Sequence, residues 1–477
     1  MMDFRNFLIA CTASVLLAGC VPVMQKAAPM DNALVNAEFD KITGLVEYGN
    51  SALDREWWRS LGDTQLNRIV EDALLKSPTL QAMQARYTQA NAIIASIESR
   101  NVPHITADAS VVRERFSENH IFPAPLGGST NNQYMPQLIL DYDFDFWDAR
   151  RSRASAALNS ALAQRASIES AKLALTSGIV ELYVSWDYDE EKLDRLSEIE
   201  EIIYQKRAII ERQYHLGLID GIAINDNKSA LYRIQQRKEE LKRSIEGKKE
   251  ALCILGGFLP SYCDALNRPN ITSVESLPVP KEVVLNLLAH RPDITLAKYT
   301  VLSKNFTIEE SKTHYYPNIS LSGAFGFTSF SFSKLIDHSS YTPSLGVALS
   351  LPLFDGGERD ARLQNSVSDY NASVFEYNNA LIKAANEVVM LLKQSNLIDE
   401  QQRFHQREVQ AKESNQEIER KKLLQGLRHK LPYLSAQMLV KEADIDALSI
   451  RETKTLLRIN LIKALGGGYR EDSNATH

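Results

Sequence analysis

Thiols and a row of carboxylates are the side chains of this sequence whose placement suggests chemistry. Cys20 ends the run Leu17-Ala18-Gly19-Cys20, where small neighbours let the peptide lie extended and leave the thiol open to acylation. Cys253 and Cys263 are close enough in sequence to form a short disulfide loop in an oxidising compartment, or to stay two buried thiols. Asp141, Asp143 and Asp145 alternate with apolar residues, as on one wet face of a strand. The patterns of common catalysts are missing. There is no GxxxxGK[ST] phosphate loop, no HExxH helix, no GxSxG elbow and no Cys/His cluster with zinc spacing. His104, His215, His290 and His314 fall at element ends, where a surface role is the default, and Tyr183 and Trp186 read as packing residues. We therefore expect no enzyme, no metal and no cofactor.

The first nineteen residues read as an export signal. Arg5 supplies the positive start, and residues 7–18 form an apolar core too short to span a bilayer. Its ending resembles the bacterial lipobox, in which the cysteine becomes the lipidated first residue of the mature chain. On that reading Cys20 carries a covalent lipid (palmitate among its acyl chains), and Val21 directs delivery to the outer membrane. An ordinary signal with an incidental cysteine is the alternative. Cys11 leaves with the signal in either case.

The bulk composition narrows the class. The 477 residues are 44% hydrophobic and 24% charged, which is a folded protein and not a disordered one. A net charge of -6 gives no basic stripe for nucleic acid, so none is expected as a partner. No stretch after residue 20 is apolar for the ~18 residues of a transmembrane helix. Strand spans are a separate matter, because their alternation is weak.

One plan is written twice. Ser77-Pro78 opens a helical stretch that runs to Arg100 and stops at Pro103; Arg291-Pro292 opens another that runs to Tyr316 and stops at Pro317. Openings and stops are each 214 positions apart. Strand-like alternation follows each stop, over residues 105–111 and 138–146 in the first copy and 319–328 and 345–353 in the second. Polar stretches at 117–133 and 329–341 connect them. A soluble sandwich with one wet face fits this pattern. Strand lengths near the ~9–11 residues of a tilted membrane strand, and the three aspartates in a row, favour a membrane barrel.

Each hairpin is followed by a long helical stretch, 148–216 and 358–425, then a glycine turn at Gly217 and Gly426 and a returning helix. Each returning helix ends at a glycine pair, Gly256-Gly257 and Gly466-Gly467. At ~1.5 Å per residue each long helix could reach roughly 100 Å. Such lengths suggest coiled-coil packing; a soluble antiparallel stalk is the bland reading. Four strands cannot close a barrel, since transmembrane barrels need at least ~8 and open edges are not tolerated in lipid. A barrel reading therefore requires copies, and three would supply twelve strands and twelve helices.

Several local sequences, in this order, resemble the TolC-like outer-membrane efflux proteins, in their lipoprotein branch with the NodT-type members. They are Glu56-Trp57-Trp58 through Leu66, Leu74-Leu75-Lys76-Ser77-Pro78, Asp145-Phe146-Trp147-Asp148, Arg291-Pro292-Asp293, Leu351-Pro352-Leu353-Phe354-Asp355-Gly356-Gly357 and Ala464-Leu465-Gly466-Gly467-Gly468-Tyr469. The resemblance covers nearly the whole mature chain. It implies a mainly α fold with a β-barrel portion, in which a homotrimer forms a 12-stranded barrel continuing into a 12-helix periplasmic α-barrel. It also implies a passive duct for drugs or other small molecules, lipid-anchored in the outer membrane. A periplasmic adaptor (a membrane fusion protein) and an inner-membrane pump of RND, MFS or ABC type would serve it. A duct for type I polypeptide secretion and a non-transporting coiled-coil lipoprotein are the competing readings.

On this plan residues 1–19 are the signal, 20–62 a lipid-anchored linker, 63–257 the first efflux repeat, 258–280 a linker, 281–466 the second repeat and 467–477 a tail. The resemblance also places a closable tip at the glycine turns. The family commonly has an Arg two residues after the second-repeat glycine, matched by Arg428, and carboxylates further on, where this chain has Pro432 and Ser435. The usual acidic ring of that repeat is thus missing. Asp220 and Asp226 in the first repeat are the carboxylates left for Arg428 to meet across helices, as gate candidates; a solvated charge at a loop is the other reading.

Overall fold

The computed structural model describes residues 54–119, 121–271, 277 and 291–471. Cys20, the signal and most of the first linker lie outside the described residues, as does His290. A 3-10 turn, Trp57–Leu61, leads into α1 (Thr64–Lys76) and α2 (Pro78–Glu98). The hairpin β1 (His104–Arg115) and β2 (Thr130–Phe144) follows, then α3 (Ala149–His215), α4 (Gly221–Gly256) and the short α5 (Pro260–Asp264). The second copy is α6 (Pro292–Thr313), β3 (Asn318–Gly326), β4 (Ser344–Ser350), α7 (Glu358–Leu424) and α8 (Lys430–Ala464). The duplication is close: α3 and α7 have 67 residues each, α4 has 36 and α8 has 35. No helix among the described residues is long and apolar enough to cross a membrane.

Contacts divide the chain into two compact units. The first comprises Arg86–Ala163 and Ala297–Tyr377 and holds the sheet. Its four strands are antiparallel in the order β1-β2-β3-β4, so β2 pairs with β3 across the two repeats. Several strand limits differ from the sequence expectation, two of them for a plain physical reason. β2 starts at Thr130, inside the stretch read as a polar connection, because Asn131, Asn132 and Gln133 pair with Glu114, Arg113 and Val112. Those rows are held by backbone bonds, which hydropathy alternation does not register. At the other end β4 stops at Ser350, since Pro352 has no N–H for a ladder. Beside the sheet, Ile308 of α6 packs on Leu363 and Val367 of α7.

The second unit, made of Gln164–Leu296, Asn378 onward and the described residues up to Ala85, is helical. Asp63 caps α1 by accepting from the Gln65 and Leu66 amides at 2.7 and 3.3 Å. Leu66, Ile69, Val70 and Ala73 then recur at helical spacing and are buried, as are Trp57, Trp58 and Leu61. The last residues of the segment read as linker are therefore core. Asp63 also accepts from the Tyr183 hydroxyl and the Asn270 amide, both at 2.8 Å. Gln65 clasps Asn267 through both its backbone N–H and its carbonyl, each at 2.9 Å. The residues between the repeats, where α5 lies, are thus tied to α1 and α3. Cys253 and Cys263 are joined by a disulfide in the structure, with Cα atoms 6.0 Å apart.

Further along, Leu196, Ile199 and Ile203 of α3 form a core with Leu231 and Ile234 of α4 and Ile445 of α8. Full burial of each such side chain contributes about 1.5–3 kcal/mol. Polar groups are paired beside it. Buried Asp189 accepts from Lys248 at 2.5 Å and Ser244 at 2.7 Å, and Glu452 accepts from Lys192 at 2.5 Å. In the second repeat Arg291 holds the start of α6 to α7 and α8. Its guanidinium donates to Asp293 and to Glu387 and, at 2.8 Å, to the Ala464 carbonyl that ends α8. The first repeat has Ser77 at the matching place.

One carboxyl in this unit opposes folding at neutral pH. Burial, reinforced by the charge of Glu191 and opposed by Arg268, pushes the Asp187 carboxyl up to about 7. In the unfolded chain it titrates near ~4. Between these values the folded state keeps a proton that the unfolded state releases, so this contribution to stability is lost as pH rises through the window. Asp187→Asn is expected to melt higher than the parent at about pH 8 and equally at about pH 4. Equal melting temperatures at the higher pH would show that the carboxylate carries no such cost.

Candidate functional site

The sheet has two unlike faces, fixed by strand alternation and by register. Ile105, Ala107, Ala109 and Val111 of β1 line up with Leu140, Leu138, Pro136 and Tyr134 of β2. Phe325, Leu321 and Ile319 of β3 continue that face, followed by Val347 and Leu349 of β4. Its side chains are open: Ile105, Val111, Leu345, Val347 and Leu349 are each 66–69% exposed. A contiguous apolar surface of this kind marks a partner or a membrane. Aromatic pairs flank it. Tyr142 and Phe144 lie 5.0 Å apart towards the helical end, where Trp147 stacks on Tyr316 at 4.7 Å; Tyr134 and Phe332 lie 5.5 Å apart towards the hairpin loops. Aromatic girdles at both interfaces are a mark of membrane barrels.

The opposite face is the more polar one, although Val112, Met135 and Ile139 also stand on it. It carries His104, Thr106, Asp108 and Ser110 of β1, Asp141 and Asp143 of β2, and Ser320 and Ser322 of β3. Asp145, expected on this face, lies beyond the end of β2 and serves another purpose. Its carboxylate accepts from the Arg150 and Arg151 amides at 3.0 and 3.3 Å and caps α3. Asp355 does the same for α7, accepting from the Gly357 and Arg359 amides at 3.1 and 3.3 Å. At each junction the first-turn arginine reaches back to a carbonyl at or just past the strand end, Arg150 to Asp143 and Arg359 to Pro352. Arg359 holds the Asp355 carboxyl below the usual carboxylate range. Sequence reading marked both junctions but not these clamps; a shared Asp followed within five residues by Arg was the available signal.

The hairpin tips are the second candidate element. Gly217 and Gly426 both adopt φ 72°, a left-handed conformation that suits glycine. Leu218 N–H bonds the Gln213 carbonyl and Leu427 N–H bonds the Lys422 carbonyl, each at 2.9 Å. The same two-bond turn thus closes both long helices. Beyond the glycines the copies diverge. Asp220 caps α4 through the Ile222 amide at 3.0 Å, whereas His429 at the start of α8 makes no side-chain cap. Asp226 is exposed on the first turns of α4. Within the protomer Arg428 meets neither aspartate; it lies 3.4 Å from Glu419 on its own hairpin. The turn folds Arg428 back over the end of α7, and Asp220 is already engaged as a cap. Glu419 accepts first from Lys422, with Arg428 adding to the pull that lowers its carboxyl. Pairing of Arg428 with Asp220 or Asp226 of another copy is left to the proposal below.

A sheet with one apolar face and, among the described residues, two unpaired edges, followed in the chain by 67-residue helices, is the plan of a chain from a barrel-and-helix channel. Residues 69–257 and 283–467 match the family described as outer membrane efflux protein, and the chain belongs to that family. It is similar to the multidrug resistance outer membrane protein MdtP of Escherichia coli strain K12, 25% identical over 96% of this chain and 95% of that one. A second relative is the putative multidrug resistance outer membrane protein MdtQ of Shigella flexneri, 26% identical over 97% and 98%. The fold is that of the CmeC outer membrane channel of Campylobacter jejuni, with TM-score 0.82, 23% identity and 96% of each chain covered. VceC of Vibrio cholerae shares it with TM-score 0.79, 24% identity and coverage of 88% and 100%. The outer membrane is the location of this family and of this chain.

Removing Arg428 takes away the cation that meets Glu419 across the turn between α7 and α8. Arg428→Ala is expected to raise the resting single-channel conductance of protein reconstituted in planar bilayers. Unchanged resting conductance takes Arg428 out of the gate.

Proposed function

We propose that this chain is the outer-membrane channel component of a tripartite efflux system, a passive duct exporting drugs or other small molecules as a homotrimer. The observation that carries the reading is the four-stranded sheet, apolar on one face and polar on the other, with β1 and β4 as unpaired edges. An edge in hydrocarbon leaves N–H and C=O groups without partners, each costing several kcal/mol, so β4 of one copy would pair with β1 of the next. Three copies make twelve strands, above the minimum of about eight. The names of the relatives support drugs as cargo. A periplasmic adaptor and an inner-membrane pump would supply contact and energy, since the sequence has no phosphate loop of its own. At the tips, Arg428 with Asp220 or Asp226 of a neighbouring copy would hold the duct shut without the second-repeat acidic ring.

Two experiments test this. Cells lacking the chain should become more susceptible to dyes, detergents and antibiotics, and its return should restore resistance. The unboiled protein should also migrate as a trimer in detergent gels and collapse to a monomer on boiling. Unaltered susceptibility would remove efflux, and a monomer before boiling would remove the barrel.

The anchor is tested separately. Intact mass of the mature protein should correspond to a chain starting at Cys20 with acyl chains attached, and Cys20→Ala should carry none. An unmodified Cys20 in the membrane-bound protein would leave the strands as its sole attachment.

A further inference from the structure

The apolar face of the sheet does not run to the hairpin loop. Along β1 the residues on that face are Ile105, Ala107, Ala109, Val111, Arg113 and Arg115, because alternation assigns every second residue to it. Val111 stands opposite Tyr134, Arg113 opposite Asn132 and Arg115 opposite Thr130. Within one row the surface passes from aliphatic and aromatic to cationic, and it stays so to the end of the strand. Glu114, between the arginines, belongs to the other face.

The two guanidiniums are poorly neutralised. The Arg113 side chain is exposed and makes no hydrogen bond or ion pair among the described residues. Arg115 lies 3.4 Å from Glu118, but both side chains are about two-thirds exposed, at 67% and 69%, so the pair is weak. At the opposite end of the sheet two arginines are engaged otherwise: Arg150 bonds the Asp143 carbonyl and Arg359 the Pro352 carbonyl. A charge on the lipid face of a barrel is costly at the bilayer midplane and nearly free at the interface. The order apolar, aromatic, arginine across the β1–β2 pair, with Tyr134 of β2 beside Val111, therefore follows the order hydrocarbon, interface, headgroup. Guanidinium forks match phosphate oxygens in geometry as well as charge.

We propose that Arg113 and Arg115 form an anion strip, one per chain, for phosphate-bearing lipid headgroups in the leaflet at the hairpin end of the sheet. The proposal rests on the reading of the apolar sheet face as membrane-facing. Full-length protein purified in detergent would be titrated with a bis-phosphorylated lipid A and with its phosphate-free analogue, and bound lipid counted by native mass spectrometry. The phosphorylated lipid should bind the parent more tightly than the analogue. The Arg113→Gln/Arg115→Gln variant should lose on the order of tenfold in affinity for it, as expected from two interfacial cations, and bind the analogue as before. Arg113→Lys/Arg115→Lys should retain part of the preference.

Equal binding of the two lipids by the parent overturns the strip without recourse to any variant, as does an unchanged affinity in the double Gln variant. Inorganic phosphate that displaces the lipid at matching concentration would show a site for free anions and overturn the lipid assignment. Trimer migration of the unboiled parent separates the two levels of failure. A trimer without phosphate preference loses the strip alone, whereas a monomer loses the membrane-facing sheet and the strip with it.

Discussion

A peptide N–H in hydrocarbon has no water to bond, and this constraint governs most of what is distinctive in the chain. It explains why a sheet of four strands ends in two bare edges and yet has one face of exposed Ile, Val and Leu. On the proposed reading such a sheet is a fragment of a closed structure, in which β1 and β4 pair with strands of other copies. The same constraint is met differently in α3 and α7, whose 67 residues satisfy their backbone along the helix. Their neighbours are then chosen by side chains alone. Hydrophobic clusters such as Leu196, Ile199 and Ile203 against Leu231 and Ile234 suffice.

The change from one way of satisfying the backbone to the other happens within a few residues, and there the chain places its most regular polar devices. Asp145 and Asp355 cap the first amides of the helices, while Arg150 and Arg359 turn back to carbonyls beside the ends of β2 and β4. Four charged residues thus satisfy the groups that neither ladder nor helix can reach. At the far ends of the long helices a glycine in left-handed conformation does comparable work with backbone bonds only. Side chains there are free to diverge, and they do: a capping Asp220 in one copy, an uncapped His429 in the other.

The duplication is one of backbone plan more than of chemistry. Pro78 and Pro292 both open helices, yet the preceding position is Ser77 in one copy and Arg291 in the other. Arg291 binds three elements of its unit through Asp293, Glu387 and the Ala464 carbonyl. The first copy is secured through Asp63 and Gln65, which reach Tyr183 within it and Asn270 and Asn267 in the following linker. Two copies of one layout are thus stabilised by unrelated polar contacts, as expected where selection acts on geometry and each site finds its own partners.

Helix starts, the two glycine turns, the strand alternation and the repeat itself were legible in the sequence, because proline, glycine and hydropathic period act locally. The gate candidates were legible only as positions. Arg428 finds Glu419, nine residues back across the turn, and no period connects those two. The polar beginning of β2 was missed because its rows pair through backbone, and Asp145 was assigned to a strand face because its alternation with apolar residues outweighed the arginine five residues on. The sequence by itself determined which stretches are helix, strand and turn, since those preferences are set by neighbours a few residues apart. Only the tertiary structure decided the register that sorts the sheet into an apolar and an acidic face and sets Arg113 and Arg115 above the aromatics. Register is a property of two chain segments brought together, and a slip of one residue would exchange every side chain between the faces.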